Sequence, residues 1–265
     1  MIELKWCFAR KFGVVMKLPI AIIFILLCCT HLPGQQPTTE INDASATSIS
    51  DAVLRGQPMA LFDGKTLDGW ERRNGKPGKN WIVDEDGNLH RSRGGGDLYH
   101  QHWFKDFDLT WQWKLLKRGN SGIKYRVQDY GRRSLGCEYQ MQDDKGRLFQ
   151  KQSTGALYAL FEPDQNKQLN PVGQWNTSRI VVCGYQVEHW LNGKKIMTAT
   201  FGSSDWHERV AASKFSEYEG FGQNPEGRIF LQDHGQPVWF RNIELTPLDA
   251  SRPAIQVVKI QNGES

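Results

Sequence analysis

The sequence predicts an all-β fold, a sandwich or jelly roll of two antiparallel sheets, and three observations predict it. Apolar residues recur at every second position in short runs cut by Gly, Asn and Asp. No amphipathic helical pattern exceeds about two turns. The stretch 58–248 that carries the alternation is the size of one all-β domain.

The elements follow in chain order. Arg10, Lys11 and Lys17 stand before or at the edge of an apolar run over 18–29, the layout of a secretory signal. Residues 1–34 are therefore read as a signal peptide and the protein as secreted or periplasmic. The run is short for a bilayer span, and an uncleaved anchor is the alternative. Met16 is a second candidate start. Residues 35–57 are polar and small and are read as a disordered linker. The domain spans 58–248. A tail over 249–265 contains IQVVKI, which either adds a strand or trails off.

Within the domain, strands are expected over 81–83, 89–91, 107–116, 122–128, 137–142, 156–160, 175–183, 186–191, 194–201, 228–233 and 238–245. Asn192 and Gly193 form the two-residue turn between two of them, because such turns need positive φ.

The chain has a formal charge of +4, and losing the four basic residues and one acid of 1–34 leaves +1. No Lys/Arg stripe remains, so nucleic acid is not an expected partner. Once the leader is gone, no stable membrane span is expected. Of five cysteines only Cys137 and Cys183 lie outside the leader; both fall in strands and are read as buried thiols, a single bridge being the alternative. Nine tryptophans lie beyond the leader, a surplus that sugar-stacking surfaces use as readily as cores.

Chemistry enters through alternation. In 122–128, Ile123, Tyr125 and Val127 share one face and Lys124, Arg126 and Gln128 the other; in 137–142, Glu138, Gln140 and Gln142 lie opposite Cys137, Tyr139 and Met141. Amides and carboxylates in a row suit a ligand covered in hydroxyls, although a solvated outer sheet face gives the same pattern.

The segments LFDGKTLDGW (61–70), GNSGIKYR (119–126), CEYQMQDD (137–144), TGALY (154–158), QWNTSRIVVCGYQVEHWLNG (174–193) and GRIFLQDHGQPVWFRNIEL (227–245) resemble, in order, the 3-keto-disaccharide hydrolase domain family. The resemblance implies a concanavalin A-like jelly roll and cleavage of 3-keto-glycosides, by hydrolysis or by elimination followed by hydration, with an oligosaccharide or glycoside as partner. A C3 ketone acidifies the C2 proton, so three roles are needed. Glu138 is the first choice of base and His189 the second. Arg126, and less strongly Lys214, is the cation for the enolate oxygen, a divalent metal being the alternative cofactor. His189, His234 or Asp143 supplies the acid.

Gln140 breaks the row of carboxylates that a two-acid glycosidase would use. Asn120, Gln140, Asp143, Tyr158, Lys214 and His234 are candidate substrate contacts. Each has a structural alternative. Asn120 and Ser121 suit turn bonding, Arg126 an ion pair with Glu138, and Tyr158 the core. His189 alternates with Val187 and Leu191, which places it with apolar residues, and His234 beside Asp233 suits either an oriented imidazole or a turn. His100 and His102, two apart, offer two metal ligands on one face, too few for a site. Asp63 and Asp68 are read as turn residues. A non-catalytic carbohydrate-binding module is the functional alternative, and a laminin-G-like interaction domain fits the architecture alone.

Overall fold

The computed structural model describes residues 48–92, 94–145 and 150–253, which form two stacked antiparallel sheets with one short helix. The strands are β1 (Val53–Arg55), β2 (Met59–Ala60), β3 (Trp70–Glu71), β4 (Trp81–Val83), β5 (Leu89–Arg91), β6 (Leu98–Phe104), β7 (Phe107–Leu115), β8 (Asn120–Tyr130), β9 (Arg133–Gln142), β10 (Asn176–Cys183), β11 (Gln186–Leu191), β12 (Lys194–Thr200), β13 (Gly227–Leu231) and β14 (Val238–Pro253). Helix α1 (Ser204–Ala211) is N-capped by Ser203, whose hydroxyl accepts the Trp206 N–H. One sheet runs β12-β11-β10-β7-β14-β5-β4, with β1 and β2 also on β14; the other runs β3-β6-β13-β8-β9.

The fold class is as the alternation predicts. In β7, Phe107, Leu109, Trp111, Trp113 and Leu115 are buried toward the second sheet, where Ile123, Tyr125, Tyr139 and Met141 meet them. Polar groups that enter this core are paired in series. Trp113 Nε1 donates to Ser178 Oγ, Ser178 donates to the Tyr139 hydroxyl, and Tyr139 donates to the Trp190 carbonyl.

The structure corrects the reading at four places. Residues 48–57, read as the end of the linker, carry a 3₁₀ turn (Ile49–Ala52) and β1, because β14 runs on past Leu248 and offers its edge to β1. The same extension takes Asp249–Pro253 out of the tail; IQVVKI, the signal-peptide reading and the linker before residue 48 lie outside the described residues. Residues 156–160 make turns rather than a full strand, with Leu157 forming one isolated bridge to Tyr139 of β9 and one to Phe161. As read, Cys137 and Cys183 are free thiols; Cys137 is buried, which pushes its pKa up to about 12, and Cys183 is only partly buried.

The fourth correction is at Arg126. Tyr125 faces Cys137 and Gln128 faces Leu135, so Arg126 and Val127 together oppose Gly136, a bulge with one extra residue on β8. Arg126 takes φ +49°, a left-handed conformation that costs a non-glycine residue about 1–2 kcal/mol. Two glycines make room for it. A Cβ on Gly136 would lie 2.7 Å from Val127 Cγ2, and one on Gly227 would lie 2.4 Å from the Arg126 carbonyl carbon. Past the bulge the parity flips, so Val127 joins Tyr99 and Phe230 in a separate cluster instead of facing the core.

Candidate active site

Glu138 on β9 pairs in register with Lys124 on β8, and both point away from the core. The carboxylate stands 3.5 Å from Lys124 Nζ and is only 6% exposed. Burial pushes its pKa above the ordinary carboxylate value, while the charges of Lys124, Lys214 and His234 act to lower it. Lys214 Nζ sits 4.2 Å over the Tyr158 ring, and burial lowers its pKa against the raising effect of Glu138. The β9 edge is held by the segment that carries Tyr158: Tyr158 N–H donates to the Glu138 carbonyl, and Gly155 N–H to that of Gln140. That segment is fixed below by Lys167, whose buried ammonium donates to Asp144 at 2.6 Å and to the Thr154 carbonyl.

The row continues toward one end of the sandwich. Gly122 faces Gln140 and Asn120 faces Gln142, and beyond them opens a cavity of about 490 Å³ lined by Asn120, Gln142, Asp143, Lys117 and His234. Asp233 does not pair with His234. It forms a buried ion pair with Arg91 at 2.6 Å and accepts the N–H groups of Gly95 and Gly96, which fixes the turn that carries His234. Across the sheet, Lys124 Nζ lies 4.9 Å from the Phe230 ring, Phe230 is 4.6 Å from Tyr99, and Arg228 packs over Tyr99. A further cavity of about 310 Å³ there is bordered by Tyr99, Arg228 and Trp103, the last 54% exposed.

Several expected residues lie elsewhere. Arg126, carried to the other side by the bulge, donates to the Gly184 carbonyl, stacks on Phe201 and lies 3.8 Å from Asp106, so it forms no pair with Glu138. His189 is fully buried in the core. Its Nδ1 bonds the Gly155 carbonyl and its Nε2 the Tyr125 hydroxyl, each at 2.9 Å, and burial brings it down to about 3. A neutral imidazole locked between these partners cannot reach a ligand outside the core. Asp143 turns to the Arg118 and Lys145 N–H groups, as a loop anchor at the cavity rim. Gln140 is 3% exposed, with Oε1 on the Met141 N–H, and Gln142 Nε2 donates to the Gln152 carbonyl; neither head stands free in a row of sugar contacts. Asp63 accepts the Lys65 and Thr66 N–H groups, the turn role expected for it.

His100 and His102 pack edge to face at 5.3 Å, and His100 is buried beside Trp70. Among the described residues no three His, Cys, Asp or Glu side chains cluster as metal ligands.

Sequence reasoning missed Asp97 and Gln232. Asp97 stands just before β6 with the parity of Tyr99; burial raises its pKa, and the charges of Lys124 and His234 reach it. Its signal is the alternation 97, 99, 101, 103 through LYHQHWF, which was not read as a strand. Gln232 Oε1, with Asn120 Oδ1 and Gln236 Oε1, is a buried acceptor without a partner among the described residues. All three belong to the loops and strand ends around His234, where hydroxyl donors of a ligand would satisfy them.

Known proteins share this arrangement of strands. A 3-keto-disaccharide hydrolase of Bacteroides thetaiotaomicron is 32% identical over 230 residues, covering 72% of this chain and 78% of that one. A crystal structure from Parabacteroides distasonis, assigned as a glycosyl hydrolase, superposes with TM-score 0.66 at 34% identity over 72% of this chain and 94% of its own. Another from the same organism, at 24% identity and TM-score 0.54, shares the fold. The 3-keto-alpha-glucoside-1,2-lyase-like domain model matches residues 57–246, from just before β2 into β14, so the whole five-stranded sheet with the Glu138 face and most of the larger sheet fall inside the match, and this chain belongs to that family.

Proposed function

We propose that this protein is an exported carbohydrate-active enzyme that cleaves 3-keto-glycosides, with Glu138 as the base. The observation that carries the reading is a nearly buried carboxylate facing two ammonium groups, Lys124 and Lys214, on the outer face of the five-stranded sheet. A sugar-binding face needs only an ionised acceptor, whereas a carboxylate whose pKa burial has raised is the better proton acceptor, as abstraction requires.

In the proposed reaction Glu138 takes the C2 proton, and the electron pair moves onto the C3 oxygen as an enolate, which Lys124 and Lys214 stabilise in place of the Arg126 first expected. Collapse of the enolate restores the ketone, forms the C1–C2 double bond and expels the C1 oxygen, which His234 protonates. Water then adds at C1 as a proton returns to C2, so the sum is hydrolysis. Stopping before the hydration makes the enzyme a lyase.

Asp97, partly buried and just before β6, is a second carboxylate near this face. β6 is three positions from β9, so the backbones stand about 14 Å apart at the usual strand spacing. Glycosidase acid pairs hold their carboxyl groups at about 5–10 Å, which favours one-base chemistry here. Export rests on the signal-peptide reading of residues 1–34. Among the described residues no helix is long and apolar enough to cross a membrane.

The test is to offer purified protein 3-keto-glucosides beside their unoxidised parents, with and without chelator, and to follow products. Turnover of the keto sugars alone supports the reading. Cleavage of the parents alone, or tight binding without turnover, overturns it.

A further inference from the structure

The face that carries Glu138 leaves unexplained why the chain holds Arg126 in a left-handed conformation between two glycines. Its side chain is 3% exposed, and its Nε has no partner among the described residues. The guanidinium borders a cavity of about 630 Å³ together with Tyr185, Gln223, Pro225 and Leu248. This cavity is built from the β6–β7 turn, the β10–β11 turn, the loop before β13 and the late part of β14. The cavity beside His234 is built from the β7–β8 and β13–β14 turns, at the other end of β7. The two are therefore separated by the length of that strand, about 30 Å.

We infer that the Arg126 cavity is a second, non-catalytic carbohydrate site that takes a neutral mono- or disaccharide. Tyr185 is 74% exposed, so its ring is open for the apolar face of a pyranose. The exposed Pro225 extends that apolar surface. Arg126 supplies planar N–H donors, and the exposed Gln223 offers both donor and acceptor to vicinal hydroxyls. The Arg126 donation to the carbonyl of Gly184 ties the guanidinium to the turn that presents Tyr185, so the donor and the ring are held in one unit. The cavity has the size of a small-ligand pocket. The lining holds two carboxylates, and both are engaged within the protein: Asp106 accepts the Gly184 N–H, and Asp249 accepts the Ser251 N–H and hydroxyl, an arrangement suited to binding. The inference does not depend on the reaction proposed for Glu138.

The experiment is calorimetric titration of the full chain with unoxidised cellobiose, maltose and trehalose. It uses the wild type, Glu138→Gln, Tyr185→Ala and Arg126→Gly, the last chosen because glycine accepts φ +49° without strain. Binding of at least one disaccharide is expected to survive Glu138→Gln and to weaken about tenfold or more in both other variants. Tyr185→Ala, with its exposed ring, is expected to leave the unfolding temperature and any turnover unchanged. If Arg126→Gly loses stability, Tyr185→Ala alone decides. No binding up to about 50 mM, well beyond a Kd of about 1 mM, overturns the inference. Wild-type affinity in Tyr185→Ala, or loss of binding in Glu138→Gln alone, does so as well.

Discussion

Gly122 lies against Glu138: a Cβ at position 122 would meet the Glu138 Oε1 at 3.0 Å and Cγ at 3.2 Å. A side chain at 122 also meets the Tyr139 carbonyl oxygen at 3.0 Å, so it pushes the Glu138 carboxylate and the β9 backbone by a few tenths of an ångström. Gly122→Ala is expected to lower kcat/KM on 3-keto-glycosides by about 10- to 100-fold, as misplacement of a catalytic group does, while the fold survives. Steady-state kinetics beside thermal unfolding check this, and wild-type kinetics in a folded variant would refute it.

The pH profile follows from burial. Because Glu138 is held above the ordinary carboxylate range, the acid limb of kcat/KM should lie above the free-glutamate value of 4.5, with activity rising as pH climbs through it. Lys214 lowers that pKa, so Lys214→Met should move the limb to higher pH. Glu138→Gln should abolish turnover, a loss of about 100-fold or more. Stability moves oppositely to activity: a carboxyl with a raised folded pKa stabilises most when protonated, and that contribution fades as pH rises from the unfolded to the folded value.

His189 predicts the reverse trend. Its folded pKa is depressed to about 3 from 6.5, so its stabilising contribution is full above the unfolded value and is lost as pH falls from about 6.5 toward 3. His189→Leu leaves the Tyr125 hydroxyl and the Gly155 carbonyl unpaired, at a cost of about 2–4 kcal/mol. Denaturant unfolding at pH 8 and pH 5 checks both statements; equal pH dependence in wild type and variant would refute the assignment.

Trp103 is exposed and borders the cavity beside Tyr99 and Arg228, so a glycoside bound at Glu138 with its leaving half extending across Phe230 would stack on it. Trp103→Ala should raise KM about 10-fold for 3-keto-disaccharides and leave KM for a methyl 3-keto-glucoside within twofold. An equal effect on both substrates would refute a role in aglycone binding.

The sheets and the outward position of Glu138 were legible because period-two alternation determines them directly, and the Asn192-Gly193 turn because both residues accept the positive φ it requires. Arg126 was not, because alternation assumes an uninterrupted ladder. The bulge at Arg126 and Val127 is specified by Gly136 and Gly227, which come into contact with it only after β8, β9 and β13 have paired. His189 carried its answer in its neighbours: Val187 and Leu191 mark the core face, and there the imidazole lies. Lys214 was hard to place for a different reason: it lies outside a strand and reaches Glu138 by tertiary packing, which no local period encodes.

The position of β14 in the chain bears on how the domain is made. It pairs with β1, β2, β5 and β7, so an interior strand of the larger sheet is the last in chain order among the described residues. A ribosome that has synthesised every other strand still holds a sheet split in two, and closure waits for residues 238–253 to emerge. Such long-range pairing makes for slow folding, with unpaired β7 and β5 edges exposed meanwhile. For a chain that must cross a membrane before folding, that delay is an advantage; for one overproduced in a cytoplasm, the same delay is an opportunity to aggregate.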